Sequence, residues 1–412
     1  MQDEILTENL SLIDEETTLP EGWRLVRIGD ICQFVGGSQP PAHTFKRKPL
    51  PNYVRLVQIQ DFRRSDFAVY IPESEARRTF DETDVMIGRY GPPVFQILRG
   101  LSGAYNVALM KTVPDESQII KDYLYHLLKL DRIQNAVIAQ SERSAGQSGV
   151  AKDFLENIIV PLPTIEEQRR IASVLDEQMK AVEQARLAVE EQLKAADLLP
   201  NAFLRVVFES EEAQNWQKRK LGEIAKTCSG STPSRSNPDY YKGSISWVKT
   251  GELKDGLILK TEEHISELAL KETSVRLLPP ETLLVAMYGQ GQTRGRTGLL
   301  KIPATTNQAC FAILPNETFD SYFLQYWFRH NYQRLRQETE GRGGNQPNLN
   351  GDVLNKQIVS LPIEVNEQRK FVEKFNEQTQ AAKTLKKSLT EKLEAVKKLP
   401  AALLRKAFAG EI

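Results

Sequence analysis

The chain is written twice. Ile28-Gly29-Asp30-Ile31 returns as Leu221-Gly222-Glu223-Ile224, and the tryptophan ahead of it, Trp23, returns as Trp216. Leu162-Pro163 followed by Glu167-Gln168-Arg169 returns as Leu361-Pro362 followed by Glu367-Gln368-Arg369. Leu199-Pro200 and Phe208 return as Leu399-Pro400 and Phe408. A period of about 200 residues is too long for a solenoid repeat and suits a duplicated domain with its connector. Two copies of one module on one chain suggest two related things held at a fixed distance.

The duplication divides the 412 residues into an acidic tail (1–20), a first module (21–160), a helical region (161–208), a linker (209–215), a second module (216–360) and a closing helical region (361–412). Each half is long enough to bury its own core. Within the modules, short apolar runs such as Leu25–Ile31 and Tyr53–Ile59 alternate with turn-rich stretches such as Gly36-Gly37-Ser38-Gln39-Pro40-Pro41. Helical character follows around Lys121–Gln140. The second module repeats the order: Tyr90-Gly91 matches Tyr288-Gly289, Asn106 matches Asn307, and Tyr123-Leu124 matches Tyr322-Phe323. Both modules read as α+β.

Charge is informative only by region. The net charge of zero combines a tail of seven acids and no base (1–22) with two mildly basic modules. Residues 23–160 carry 18 bases and 15 acids, and 216–363 carry 19 and 14. That is compatible with nucleic-acid binding and equally with ordinary solvated surfaces. No run of 18 apolar residues is present, which argues against a transmembrane helix. The acidic opening is unlike a signal peptide. Cys32, Cys228 and Cys310 are few and scattered, as expected for a reducing cytoplasm.

A long helix is expected after each module. Thr164 with Glu167 three residues on fits a capping box; Glu364 and Asn366 give a weaker start. A heptad pattern then runs in both copies. Leu175, Val182, Val189, Ala196 and Phe203 occupy a, and Ile171, Gln178, Ala185, Gln192 and Leu199 occupy d. In the second copy Phe375, Ala382, Leu389, Val396 and Leu403 fall at a, with Gln378 at d. Polar d residues fix register at a cost in stability. Pro200 and Pro400 should break or kink each helix near its end. From Ile165 to Leu199 the first helix spans roughly 50 Å, the length of about 15 base pairs. Such a ruler would let two modules touch half-sites a little over one turn apart.

These motifs resemble the specificity subunit of type I restriction-modification systems, over nearly the whole chain after residue 20. The likeness rests on Pro161 to Arg169, its partner Ser360 to Arg369, and the ending Leu404-Arg405-Lys406-Ala407-Phe408-Ala409-Gly410-Glu411-Ile412. Inside the second module it rests on Gly230-Ser231-Thr232-Pro233-Ser234, Trp247 to Leu253, Thr306-Asn307-Gln308-Ala309 and Asn345-Gln346-Pro347-Asn348-Leu349. Gly37-Ser38-Gln39-Pro40 and Val57 to Asp61 are looser counterparts in the first.

The resemblance implies a chain that does no chemistry. Two target-recognition domains would each read one half of a split double-stranded DNA site. They would be separated and followed by long antiparallel coiled-coil helices with pseudo-twofold symmetry. Those helices would dock two methyltransferase subunits, with Gln168, Arg169, Gln178, Gln368, Arg369 and Gln378 as spacer and docking residues. S-adenosylmethionine, ATP and Mg²⁺ would belong to the methyltransferase and motor-nuclease partners. No membrane is involved.

DNA-contact candidates follow from chemistry and the resemblance together. Gly289 to Gly298 sets Arg294 and Arg296 among glycines. Glycine lets backbone amides approach a phosphate, and arginine can pair with guanine O6 and N7. Arg89, Tyr90 and Arg99 are the counterpart. Gly37, Ser38 and Gln39, like Ser231, Thr232 and Arg235, lie in turns that could donate amides to phosphate or simply connect strands. Gln147, Asn307, Asn345, Gln346 and Asn348 carry amides able to pair with adenine. Lys46, Arg47, Arg63 and Lys249 suit phosphate.

Trp23 and Trp216 are core or lid residues. The four histidines form no ligand spacing with a cysteine. Two other functions remain open. Asp239, Glu252 and Lys254 fit the loose pattern of a metal-dependent nuclease, and the helices alone would suit a protein-only coiled-coil scaffold. Tyr90-Gly91-Pro92-Pro93 lacks the acid or amide and the aromatic of an adenine-methyltransferase loop, and there is no Walker A lysine.

Overall fold

The structure, a computed structural model, describes residues 19–64, 66–143, 149–289, 291–338 and 349–412. These form two compact units. One is built from the chain up to residue 190 together with 391–412, the other from residues 191–390. Each unit therefore holds one module, the start of one long helix and the end of the other.

In the first unit the outermost strands of the module close on each other. Arg24–Arg27 pairs antiparallel with Ile159–Leu162, setting Val26 opposite Val160. Pro161, which cannot donate, is tolerated because the ribbon has only two strands. An antiparallel sheet follows in the order Cys32–Gly36, Leu109–Pro114, Met86–Gly88, Gln96–Leu98. A second sheet runs Val69–Pro72, Tyr53–Val57, Gly103–Tyr105, Thr79–Phe80, with Leu56 parallel to Ala104. Helices Lys121–Leu127 and Asp131–Arg143 cover the core.

The second unit repeats this plan. Gln217–Lys220 pairs with Ile358–Leu361. Trp247 lies parallel to Thr305, as Leu56 does to Ala104. Its larger sheet gains a fifth strand, Gly256–Ile258. The α+β reading of both modules holds. Trp23 packs against its module core, and Trp216 meets Phe208 edge-on at 5.9 Å and Phe323 at 5.7 Å.

The long helices are Ile165–Phe208 and Val365–Phe408, 44 residues each. Neither stops at its proline. The missing N–H costs about 3 kcal/mol, but the last turns are held by burial. Phe203, Leu204 and Phe208 join the core of the second unit, and Leu404, Ala407 and Phe408 that of the first. In the first unit the opening turns of one helix (Ile171, Leu175) share a core with the closing turns of the other (Leu404, Phe408). In the second unit the roles exchange, with Val372 and Phe375 against Leu204. Within each unit the two segments are thus antiparallel.

The expected a positions Leu175, Val189, Ala196, Phe375, Ala382, Leu389 and Val396 are buried. Of the expected d positions only Ile171 is buried. Ala185, Gln192, Leu199 and Gln378 are exposed, and Gln178 is half-buried. The partner stripe lies four residues after a, at Met179, Leu193 and Pro200, all half-buried. A spacing of four then three is the same heptad entered from its other member. Gln178 and Gln378 therefore flank the seam instead of lying in it.

The glutamine of the repeated Glu-Gln-Arg motif is also not a docking residue. Gln168 is fully buried. Its Nε2 donates to the carbonyls of Gln118 (2.8 Å) and Pro163 (3.0 Å), and its Oε1 accepts from Ile120 N (3.0 Å). Gln368 does the same with Thr318 O, Pro362 O and Asp320 N, at 3.4, 2.8 and 2.8 Å. Each amide ties the first turn of a long helix to the loop ahead of a module helix. The following arginines, Arg169 and Arg369, point outward and are exposed. The helix start itself is half the expected box: Thr164 Oγ1 accepts from Glu167 N (3.3 Å), but the Glu167 carboxylate turns to Arg170 at 2.7 Å.

Candidate nucleic-acid interface

Both modules build one turn frame. The backbone amides of Gly37 and Ser38 donate to Leu109 O (3.0 Å) and Tyr105 O (3.2 Å). Those of Gly230 and Ser231 donate to Cys310 O (3.1 Å) and Thr306 O (2.9 Å). Asn106 Oδ1 accepts from Ala108 N, and Asn307 Oδ1 from Ala309 N, both at 3.2 Å. Gln58 N donates to Asp61 Oδ2 (2.7 Å), as Lys249 N does to Glu252 Oε1 (2.8 Å).

The frame corrects the role expected of the glycine turns. The amides of Gly37, Ser38 and Ser231 are already paired and are not available to a phosphate. Glycine is needed there for close approach: a Cβ on Gly37 would lie 2.0 Å from Asn106 O, and one on Gly230 2.1 Å from Thr306 Oγ1. Glu252 is likewise committed, its second oxygen accepting from Glu262 N at 3.1 Å, while Asp239 pairs with Lys242 at 2.9 Å. The carboxylate of the nuclease-like pattern is a turn cap.

In the first module the frame opens into a cleft of about 430 Å³ lined by Gln58, Ile59, Gln60, Arg63, Tyr90, Gly91, Pro92, Gln96, Asn106 and Ala108. Arg63 Nη2 donates to Gln96 Oε1 (2.6 Å), and Gln96 Nε2 donates to Pro93 O (2.9 Å). Arg89 lies over the Tyr90 ring at 5.2 Å. Sequence reasoning found Arg63, Arg89 and Tyr90 but missed Gln58, Gln60 and Gln96. The first two lie inside the Val57–Asp61 motif, so its alignment with Trp247–Leu253 held the signal. Gln39, Lys46 and Arg47 are exposed elsewhere on the module, Arg47 donating to Phe67 O at 3.2 Å.

Arg99 is not at this cleft. It bridges Asp122 (2.8 Å) and Asp176 (3.0 Å) and stacks on Tyr125 at 3.9 Å, fastening the module to its long helix. Beside it His126 Nε2 meets Asp176 Oδ1 at 2.8 Å, and burial holds the imidazole below its ordinary pKa despite that carboxylate.

The second module distributes its charge differently. Arg235 lies over Tyr241 (4.1 Å) and Trp247 (5.3 Å) and pairs with Glu263 (2.7 Å). Lys249 sits between Glu262 (3.1 Å) and Glu263 (3.0 Å), and Thr232 bonds Gln308. Arg294 is only 5% exposed. Its carbonyl and that of Gly291 accept from Arg336, at 3.0 and 2.9 Å. Arg294 therefore anchors its loop and is not a reading arm. Arg296 pairs with Asp255, donates to Gln292 (3.1 Å) and lies over Tyr332 at 5.1 Å. It lines a polar cleft of about 640 Å³ that also holds Arg329, Arg336, Asp197 and Asp255. Gln147, Asn345, Gln346 and Asn348 lie outside the described residues. Among the described residues no group of three or more His, Cys, Asp or Glu could hold a metal, and no helix is long and apolar enough to cross a membrane.

One frame carrying different side chains in two modules, each leading into a 44-residue helix, makes this a two-module recognition chain. It belongs to the family of the type I restriction modification DNA specificity domain, which matches residues 20–192 and again 213–395. It is 24% identical over 376 residues to the type I restriction enzyme MjaVIII specificity subunit of Methanocaldococcus jannaschii, an overlap of 87% of this chain and 86% of that one. Its fold matches the crystal structure of the HsdS subunit from Thermoanaerobacter tengcongensis with a TM-score of 0.67 at 21% identity, over 97% of this chain and 99% of that one. It also matches a chain from work on complex assembly and conformational transition of the type I R-M system, with a TM-score of 0.69 at 22% identity, over 96% and 100%. The family is one of recognition, not catalysis. Neither the nuclease nor the protein-only scaffold has support.

Proposed function

We propose that each module reads one half of a bipartite DNA site and that the long helices set the distance between halves and carry two methyltransferase subunits. The observation that supports this most directly is the shared turn frame with divergent side chains. Two readers of one design with two preferences is what a split, asymmetric target requires. The proposed domains are the target-recognition modules 21–160 and 216–360 with helical regions 161–208 and 361–412. On the first module Gln39, Lys46, Arg47, Arg63, Arg89 and Tyr90 remain DNA-contact candidates. On the second they are Thr232, Arg235, Lys249, Arg296 and Asn307. Arg169, Arg369 and Gln378, with exposed Leu187, Leu198 and Leu385, suit subunit docking on the helices.

S-adenosylmethionine, ATP and Mg²⁺ would be bound by the methyltransferase and motor-nuclease partners, in the cytoplasm. A ruler has a direct test. Four residues inserted after Ala188 add about 6 Å, and the methylated motif should keep both halves while its spacer grows by about one to two base pairs. Unchanged spacing with unchanged halves would show that the helix does not set the distance.

A further inference from the structure

We propose that the paired amides Gln58 and Gln60 read an A·T base pair, and that the matching turn of the second module has no counterpart of this reader. The inference rests on the proposed DNA-reading role and assigns it to particular atoms.

The common frame allows a residue-by-residue comparison. Asp61 and Glu252 cap the same turn, so Gln58 corresponds to Lys249, Gln60 to Gly251 and Arg63 to Lys254. What is shared serves to build the turn. What differs and faces outward is free to discriminate. In the first module Gln60 is exposed and its Nε2 lies 3.5 Å from Gln58 Oε1, a contact long enough to yield to a better partner. A side-chain amide presents one acceptor and one donor in a plane, which matches N6 and N7 of adenine in the major groove.

The surroundings favour a nucleic acid. Among the described residues no carboxylate lines the cleft, because Asp61 is turned inward and only 6% exposed. Arg63, fixed by Gln96, supplies positive charge at the rim. In the second module the same position is Gly251, with no side chain at all, and its neighbour Lys249 is held by two glutamates. At that position of the turn the second module therefore carries no amide.

The test is long-read mapping of adenine methylation, with the full chain co-expressed with its own methyltransferase partner. Q60A should relax one A·T position in one half of the motif, lowering discrimination there roughly ten- to hundredfold, and leave the other half unchanged. Gly251→Gln is the converse. A Cβ at Gly251 meets nothing within 4 Å, so the side chain fits, and it should add an A·T preference in the opposite half. A bipartite wild-type motif that neither substitution changes overturns the amide assignment alone. So does relaxation at a G·C pair, or both variants altering the same half. A wild-type profile with no bipartite motif overturns the underlying reading and this one with it.

Discussion

Phe375→Ala should destabilise the second unit by about 3–5 kcal/mol, the range for emptying a large aromatic site in a packed core. Phe375 is 1% exposed. Its ring lies 4.2 Å from that of Tyr326 and 5.8 Å from that of Phe203, and Arg329 rests over it at 5.4 Å. It thus touches a module helix, the end of one long helix and a guanidinium at once. The surrounding rings are too large to close the void without moving that helix. Against a total of about 5–15 kcal/mol for a domain, this is enough to leave the second module marginal. Denaturant unfolding of the purified chain measures it. Leu187→Ala, at a side chain 51% exposed, is the control and should stay within about 0.5 kcal/mol. Similar small shifts for both would show that the aromatic cluster is not packed as described.

Gln168→Ala should cost about 3 kcal/mol or more although it removes only a polar side chain. Three backbone groups lose this partner, one of them buried and two half-buried: the carbonyls of Pro163 and Gln118 and the amide of Ile120. Each unpaired buried group costs about 1–3 kcal/mol, partly offset where water enters. Gln168→Glu should be no better, because a carboxylate would face the two carbonyl oxygens that the amide now bonds. Gln368→Ala should behave alike. Gln168 and Gln368 share no partner, so the double variant should approach the sum within about 0.5 kcal/mol. Thermal unfolding reads all four. A docking role would instead leave stability intact and weaken methyltransferase binding.

Local pattern made the duplication, the α+β modules and the two long helices legible, because each depends on spacing along the chain. The motif around Gln168 also marked the helix start. The direction of that side chain was not legible, because two of its three partners lie in a loop 48 and 50 residues upstream. Arg99 looked like a free cation for the same reason: its acid Asp176 is 77 residues away. Arg294 lay in a glycine-rich run that reads as a mobile loop. The helix carrying Arg336, 42 residues on, turns it into an anchor. The seam was offset by one position because Ala185 and Gln192 satisfy the heptad arithmetic but not the packing. Of the cleft, Arg63 and Tyr90 were visible as residue types. Gln58 and Gln60 emerged only when Asp61 and Glu252 were seen capping the same turn.

The central claim is that this chain selects a split DNA target for a partner methyltransferase. Its most direct test is a genome-wide adenine-methylation profile, taken with the chain and its methyltransferase co-expressed and again with the chain deleted. The account expects a two-part motif, methylated once on each strand, that disappears with the chain. A motif that persists unchanged after deletion, while the chain still binds the methyltransferase, would contradict it.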